Sequence, residues 1–225
     1  MNLLNGILWD ELDMDAVLEN SYRDYHAKGL DYLCLHRTDD LTIKVYFFEN
    51  ANPDLPEVVN PHNHRYDFQT ECLTGMVRNK WYVDSPKNLR PGKMFSSFEW
   101  DTPLNGGDGF RYSHRAMLWE NGHYTAGPGR GYAMSAEEIH TIQVLKPQTC
   151  IVLAQYEDRV PVGAPTRTWV SGHGAPDIND LYNKFTADQA MKRINLVREL
   201  TITDKSRSNG VGVTRLFKLE PHPDW

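Results

Sequence analysis

Residues 31–49, DYLCLHRTDDLTIKVYFFE, contain two runs of strand-forming residues separated by a turn. The runs DYLCLHR and LTIKVYFFE are rich in aliphatic, aromatic and β-branched side chains, which favour strands. The Thr-Asp-Asp between them is typical of a turn. This stretch therefore predicts two successive β-strands.

The same pattern continues for more than a hundred residues. Breaks rich in Pro, Gly, Asn and Asp separate the runs, as in an all-β sandwich or barrel rather than in alternating βαβ units. The further strand-like runs are FQTECLTGMVRNKWYV (68–83), MFSSFEW (94–100), RYSHRAMLW (111–119), HTIQVL (140–145) and TCIVLAQYE (149–157).

Helical patterns flank this β region on both sides. Apolar residues near helical spacing predict an amphipathic helix over about 10–29. A second helical region is expected over about 177–200, where Asp177 can cap the first part, and Thr186 and Gln189 form a capping box for the rest. We expect both helical regions to cover the outside of the β core.

The length and charge limit the domain organisation and the partners. A chain of 225 residues suits a single domain over 1–225, with a β core of about 30–170 and one short strand expected in the tail near 213–219. The net charge of −6 argues against nucleic-acid and anionic-membrane partners. The N-terminus lacks the basic region of a signal peptide, and an odd set of three cysteines suits a reducing cytoplasm.

The strongest chemical signal is His62-Asn63-His64. Residues i and i+2 of a strand point to the same face, so both imidazoles can reach one metal ion. His140 lies in another strand-like run, IHTIQV, and is the best candidate for a third ligand. Imidazole suits zinc, copper, iron and nickel, so these residues predict a three-histidine metal site.

The chain here resembles the cupin superfamily. The motif HxH, a short spacer, Glu and then Gly stands as His62-Asn-His64-Arg-Tyr-Asp-Phe-Gln69-Thr-Glu-Cys-Leu-Thr-Gly75, and a glycine-rich approach beginning at Gly127 precedes His140. The resemblance covers about 30–160 and implies a cupin double-stranded β-helix, a jelly-roll barrel, with a homodimer as the expected assembly.

One departure from the cupin pattern affects the ligand set. Gln69 stands where many cupins place a carboxylate ligand, and a neutral amide is a weak ligand. We therefore expect three histidine ligands, with Gln69 hydrogen-bonding to substrate or oxygen and Glu71 as the fallback fourth ligand.

Three neutral ligands resemble those of thiol dioxygenases of the cysteine dioxygenase type, which implies Fe(2+), O2 and a small substrate. The resemblance gives Arg37 a role in binding a substrate carboxylate and Tyr156 a role in the pocket. Ala154 stands where that family has a histidine, so we expect a different substrate from cysteine. Arg130 is a second candidate for substrate binding.

The sequence therefore predicts a non-heme iron(II) dioxygenase for a small acid, thiol or phenolic compound. Two alternatives stay open. One is a non-redox cupin lyase or isomerase that uses zinc, manganese or nickel as a Lewis acid. The other is a cupin without catalytic activity that binds a small molecule or has a structural role.

Overall fold

The computed structural model describes residues 3–26, 28–49, 60–84, 92–101, 109–159, 164–176 and 180–208, with backbone only for 202–208. In chain order the elements are a 3-10 turn Trp9–Glu11, α1 Met14–Asn20, β1 Tyr22–Arg23, β2 Leu30–Arg37, β3 Leu41–Phe48, β4 Tyr66–Thr74, β5 Val77–Asp84, β6 Lys93–Asp101, β7 Gly109–Ala126, β8 Ala133–Met134, β9 Ile139–Val144, β10 Thr149–Asp158, β11 Thr166–Val170, β12 Asn183–Lys184 and α2 Ala187–Ser208.

The strands form two antiparallel sheets. One sheet has seven strands in the order β12-β1-β2-β3-β10-β4-β8, and the other has five in the order β11-β6-β7-β5-β9. Several neighbours are far apart in sequence, such as β3 beside β10 and β5 beside β9, as expected when strands cross between two layers. The predicted all-β, double-sheet jelly-roll fold is confirmed.

The two sheets bury a common interior. Cys72 and Ile151 from the seven-stranded sheet pack with Val77 and Val144 from the five-stranded sheet. Further along the same interior, Phe68 and its apolar neighbours reach the other sheet through Trp81. We call the sheet faces that line this space the inner faces.

The opposite, outer face of the seven-stranded sheet is covered by the flanking segments. Val45 and Val152 of this face pack with Val17 of α1 and with Ile194 and Val197 of α2. The expectation that helices cover the outside of the β core is therefore confirmed. Within the described residues, the helices are too short or too polar to cross a membrane. All three cysteines are buried free thiols.

Three expectations about element bounds were wrong. The first helix ends at Asn20 instead of continuing to residue 29, because the chain turns into strand β1. The stretch 181–186 is not helical, since Asn183–Lys184 pairs with β1, and the second helix begins only at Ala187. Strand β7 runs through the predicted break at Gly122, where a bulge opposite β5 absorbs the irregularity. The predicted Asp177 cap and tail strand lie outside the described residues.

The glycine-rich approach to His140 forms a turn. Gly129 has a φ of +74°, a conformation that glycine adopts without strain. At Gly131 a β-carbon would lie 1.7 Å from the carbonyl oxygen of Thr70. The missing side chain lets this segment run close to β4, where Tyr132 and Thr70 are hydrogen-bonded.

The predicted capping box at the start of α2 is present, and it gives a test of helix stability. The Thr186 amide donates to Gln189 Oε1 at 3.0 Å, and the Gln189 amide donates to Thr186 Oγ1 at 3.3 Å. Thr186→Ala removes one of these acceptors and should lower the free energy of unfolding by about 1 kcal/mol. Urea unfolding measures this, and Gln189→Glu, which keeps an acceptor, should stay close to wild type. Equal losses in both variants would contradict the assignment.

Candidate metal centre

The HxH segment lies just ahead of β4 and is held between two strands of the other sheet. The His62 amide donates to the His140 carbonyl at 2.8 Å, and the His140 amide donates back to the His62 carbonyl at 2.9 Å. On its other side, the Asn63 amide donates to the Arg167 carbonyl at 3.1 Å. The backbone of the segment is thus fixed from both sides, although only His62 forms bridges of strand type.

This pairing brings the three predicted histidines together. One ring nitrogen from each of His62, His64 and His140 lies within 4.8 Å of the other two. The Nε2 atoms of His64 and His140 are 2.8 Å apart, and the ring centroid of His62 lies 4.7 Å from each of the other two centroids. The predicted convergence of the three side chains is confirmed.

Two of the imidazoles are oriented by hydrogen bonds at their other nitrogen. His62 Nδ1 lies 2.8 Å from the carbonyl oxygen of Asn60, and His140 Nδ1 lies 2.6 Å from Oδ1 of Asn79. Because both partners are oxygen acceptors, each Nδ1 carries the proton and each Nε2 presents a lone pair. Such partners are the usual companions of metal-binding histidines.

The imidazoles are neutral near neutral pH. Desolvation lowers the pKa of His62, and it holds the pKa values of His64 and His140 well below the ordinary range. The neighbouring His62 lowers the pKa values of both His64 and His140 further. Metal binding needs the unprotonated form, so the site is in the state that a cation requires.

The donor set fits a divalent transition metal with open coordination positions. At metal–nitrogen bonds of about 2.1 Å, two imidazole nitrogens lie about 3.0 Å apart at a right angle and about 3.4 Å apart at a tetrahedral angle. The observed 2.8 Å between the Nε2 atoms of His64 and His140 is a hydrogen-bond distance and lies just below this range, so a small shift of either ring lets both nitrogens bind one ion.

Aromatic side chains of the inner faces surround the cluster. The ring centroids of Tyr66 and Phe68 lie 5.2 Å and 4.9 Å from that of His64. Tyr132 and Trp81 also pack against the cluster that contains Phe68, as expected for residues that fill the barrel. His140 is 4% exposed, whereas His62 and His64 are partly open. The cluster is therefore dry on one side and accessible on the other.

Sequence reasoning missed Lys44 and Tyr66. Lys44 stands opposite Leu153, an inner-face residue, so its side chain enters the barrel and is only 6% exposed. Its Nζ donates to the Tyr66 hydroxyl at 3.3 Å and lies 4.7 Å from the centre of the Tyr66 ring. The sequence pattern that could have identified Lys44 is the alternation of LTIKVYFF, in which Lys44 shares a strand face with Tyr46 and Phe48.

The structure does not bring Gln69, Glu71 and Tyr156 to the histidines. Gln69 pairs with Ala154 of the outer face, and Tyr156 packs against the outer cluster beside the helices. Glu71, also on the outer face, accepts a hydrogen bond from the Leu3 amide at 3.0 Å. Strand alternation explains all three positions, because the inner faces have the even-numbered residues of β4 and the odd-numbered residues of β10.

The two predicted arginines differ in position. Arg37 ends β2, is exposed, and donates to Asn20 Oδ1 at 3.2 Å. It pairs with Thr42 of β3, on a row of paired residues that continues through Gln155 to Phe68 beside the histidines. Arg130 is exposed in the turn beside Cys72, eight residues beyond His64 along the chain. Only Arg37 is therefore near the histidine end.

Comparison with known proteins gives distant structural likenesses. No protein-family model and no curated protein matches the chain. KdgF from Halomonas sp. is 14% identical over 58% of this chain and 82% of its own, with a TM-score of 0.35. Hydroxypropylphosphonic acid epoxidase from S. wedmorenis is 16% identical over 65% of this chain and 61% of its own, with a TM-score of 0.36. An iron(II) form of HppE is 15% identical over 56% of this chain and 50% of its own, with a TM-score of 0.34. Likenesses of this degree do not carry a substrate or a reaction from one protein to another.

Proposed function

We propose that this chain is a metal-dependent cupin enzyme whose His62, His64 and His140 hold one iron(II) ion, and that it oxidises a small organic substrate with O2. The observation that carries the proposal is the convergence of three neutral imidazole nitrogens, two of them oriented through Nδ1. When bound, iron(II) would supply open coordination positions for a substrate and O2, together with the electrons that activate O2.

Neutral ligands matter for the kind of substrate. Because no carboxylate belongs to the cluster among the described residues, a bound divalent ion keeps its full charge. An ion with that charge attracts an anionic substrate group, such as a thiolate, a carboxylate or a phenolate. This supports a small acid, thiol or phenolic compound as the substrate.

The chain's own residues position and protect the reacting groups. Asn79 and the Asn60 carbonyl fix the rings of His140 and His62, so that little reorganisation is needed when a ligand arrives. Phe68 and its aromatic neighbours exclude water from one side of the cluster. Tyr66 is the neighbouring hydroxyl: desolvation raises its pKa, so it stays a neutral phenol that can donate a hydrogen bond to a substrate oxygen.

The proposal is tested by metal analysis combined with oxygen consumption. Protein purified without added metal should contain iron as its main transition metal, at about one ion per chain. Small acids, thiols and phenols are then screened with an oxygen electrode, and at least one should give iron-dependent O2 uptake. Chelation should stop the uptake and iron(II) should restore it.

Anaerobic turnover distinguishes the rival metal chemistry. If a substrate is converted at the same rate without O2, the enzyme is a non-redox lyase or isomerase, and the oxygenase proposal is wrong. If the purified chain holds no transition metal and takes up none on incubation with iron(II), zinc or manganese, the proposal of a metal enzyme is wrong as a whole.

A further inference from the structure

Lys44 is a buried charge without an acidic partner. Its residue is 6% exposed, and among the described residues its polar contact is the hydroxyl of Tyr66. No carboxylate of the described chain forms an ion pair with it; the nearby Asp158 is paired with Arg65 at 3.0 Å. Lysine is rarely fully buried unless it is paired, because removing an ammonium from water is costly.

The rings around Lys44 compensate only part of this cost. Its Nζ lies over the faces of Tyr66 and Tyr32, 4.7 Å and 5.5 Å from the ring centres. Cation–π contacts of this kind contribute less than the desolvation penalty of a buried ammonium. Burial accordingly lowers the pKa of Lys44, and an anion beside it would raise that pKa again.

Lys44 lies close to the histidine cluster, with Tyr66 in contact with both. Tyr66 follows His64 by two residues and lies against its ring, and Lys44 donates to the hydroxyl of the same Tyr66. The ammonium is therefore one tyrosine ring away from His64, on the inner face of the same barrel. Gln155, diagonal to Lys44 on that face, has a buried Oε1 with no hydrogen-bond partner in the described chain. The Lys44 ammonium and the Gln155 Oε1 therefore both face the interior of the barrel and can each form further hydrogen bonds.

From this arrangement we infer that Lys44 binds the anionic end of a two-ended substrate whose other end is bound by the metal at the histidines. This inference rests on the proposed function and deepens it. The substrate class is a small molecule that has a metal-binding thiolate or phenolate at one end and a carboxylate, or a similar anion, at the other. Lys44 is a substrate-binding residue in this assignment, and Tyr66 lies beside both Lys44 and His64.

The test uses two matched pairs of probes on the anaerobic, iron-loaded protein. Catechol and 3,4-dihydroxybenzoate form one pair, and 1-propanethiol and 3-mercaptopropionate form the other; within each pair only the second probe has the carboxylate. Calorimetric titration gives four dissociation constants. We expect the wild-type chain to bind the carboxylate member about 10- to 100-fold more tightly in at least one pair, as for a hydrogen bond to a charged group.

Lys44→Met removes the charge and keeps the length of the side chain. It should abolish the carboxylate preference and leave the affinity for catechol or 1-propanethiol and the iron content unchanged. Lys93→Met is the control, because Lys93 is an exposed lysine that also lies near a ring, 5.3 Å from the centre of Phe95, outside the barrel. It should keep the preference.

The two failures are distinguishable. A protein that binds iron but shows no carboxylate preference, or the same preference in wild type and Lys44→Met, overturns the inference and leaves the proposed function intact. A protein that binds no metal overturns the proposed function, and the inference with it.

A second measurement needs no ligand or metal: Lys44→Met should raise the melting temperature of the metal-free chain, because a buried unpaired charge has been removed. An unchanged or lower melting temperature counts against an unpaired Lys44.

Discussion

His140→Ala should abolish stoichiometric metal binding. His140 provides the nitrogen nearest to His64, with 2.8 Å between the two Nε2 atoms, and two histidines alone leave the ion without its third protein ligand. Removing a residue that only hydrogen-bonds to a metal ligand typically lowers metal affinity by roughly 10- to 100-fold. Removing the ligand His140 itself should lower the affinity by more than that. Elemental analysis and competition with a chromophoric chelator measure the metal content and the dissociation constant.

A matched histidine variant separates this effect from a general one. His123 is an exposed histidine of β7, with 54% of its side chain accessible, and lies beside Glu120. His123→Ala should retain about one ion per chain, like wild type. Circular dichroism should show the same strand content in both variants, so that metal loss in His140→Ala is not a loss of fold. Stoichiometric metal in His140→Ala would exclude His140 as a ligand.

The elements of the fold were largely predictable because strand patterns are local. Runs such as 41–49 combine β-branched and aromatic residues over a length that suits a strand, and turn residues follow. The convergence of His62 and His64 was also predictable, since it depends only on the two-residue period of an extended chain. Local patterns were less reliable at the N-terminus, where tertiary pairing of Tyr22 with Lys184 converts predicted helix into strand.

The pairing of strands could not be obtained from the sequence. His140 reaches His62 only because two hydrogen bonds join their backbones across more than seventy residues, and no single-sequence pattern encodes that register. The sequence identified His140 as the third ligand by its strand context, and the structure shows the backbone pairing that brings it to His62. The importance of Lys44 likewise depends on β3 lying beside β10, which makes its face an inner one.

Gln69 and Tyr156 show how motif position and strand geometry can disagree. Each was selected by its distance along the chain from a histidine, as in the cupins that the sequence resembles. Counting in twos from His64 reaches Phe68 instead of Gln69, and Tyr156 has the same parity as the outward-facing Ala154. The two-residue period therefore gives the better test of whether a residue can reach the metal centre.

Asn79→Leu should weaken metal binding by about 10- to 100-fold without removing any ligand. The Oδ1 atom of Asn79 accepts from His140 Nδ1 at 2.6 Å, which fixes the ring and keeps the proton on Nδ1. Leucine has a similar branched shape but no acceptor, so the ring can rotate and the proton can move to Nε2, the nitrogen that the metal needs. The dissociation constant for iron(II) or zinc, measured by competition with a chelator, reports the loss.

Asn79→Asp is the matched control, because it keeps an oxygen acceptor at the same position. A carboxylate there should hold His140 in the same tautomer and make it more basic, so metal affinity should equal or exceed that of wild type.

The stability of the fold shows whether Asn79 positions the His140 ring or only packs the core. Asn79 is fully buried, and its Nδ2 has no hydrogen-bond partner in the described chain, so Asn79→Leu removes an unsatisfied donor as well as an acceptor. Its melting temperature without metal should therefore stay close to wild type. If metal affinity and metal-free stability fell together, and Asn79→Asp did not restore affinity, Asn79 would support the core rather than position His140.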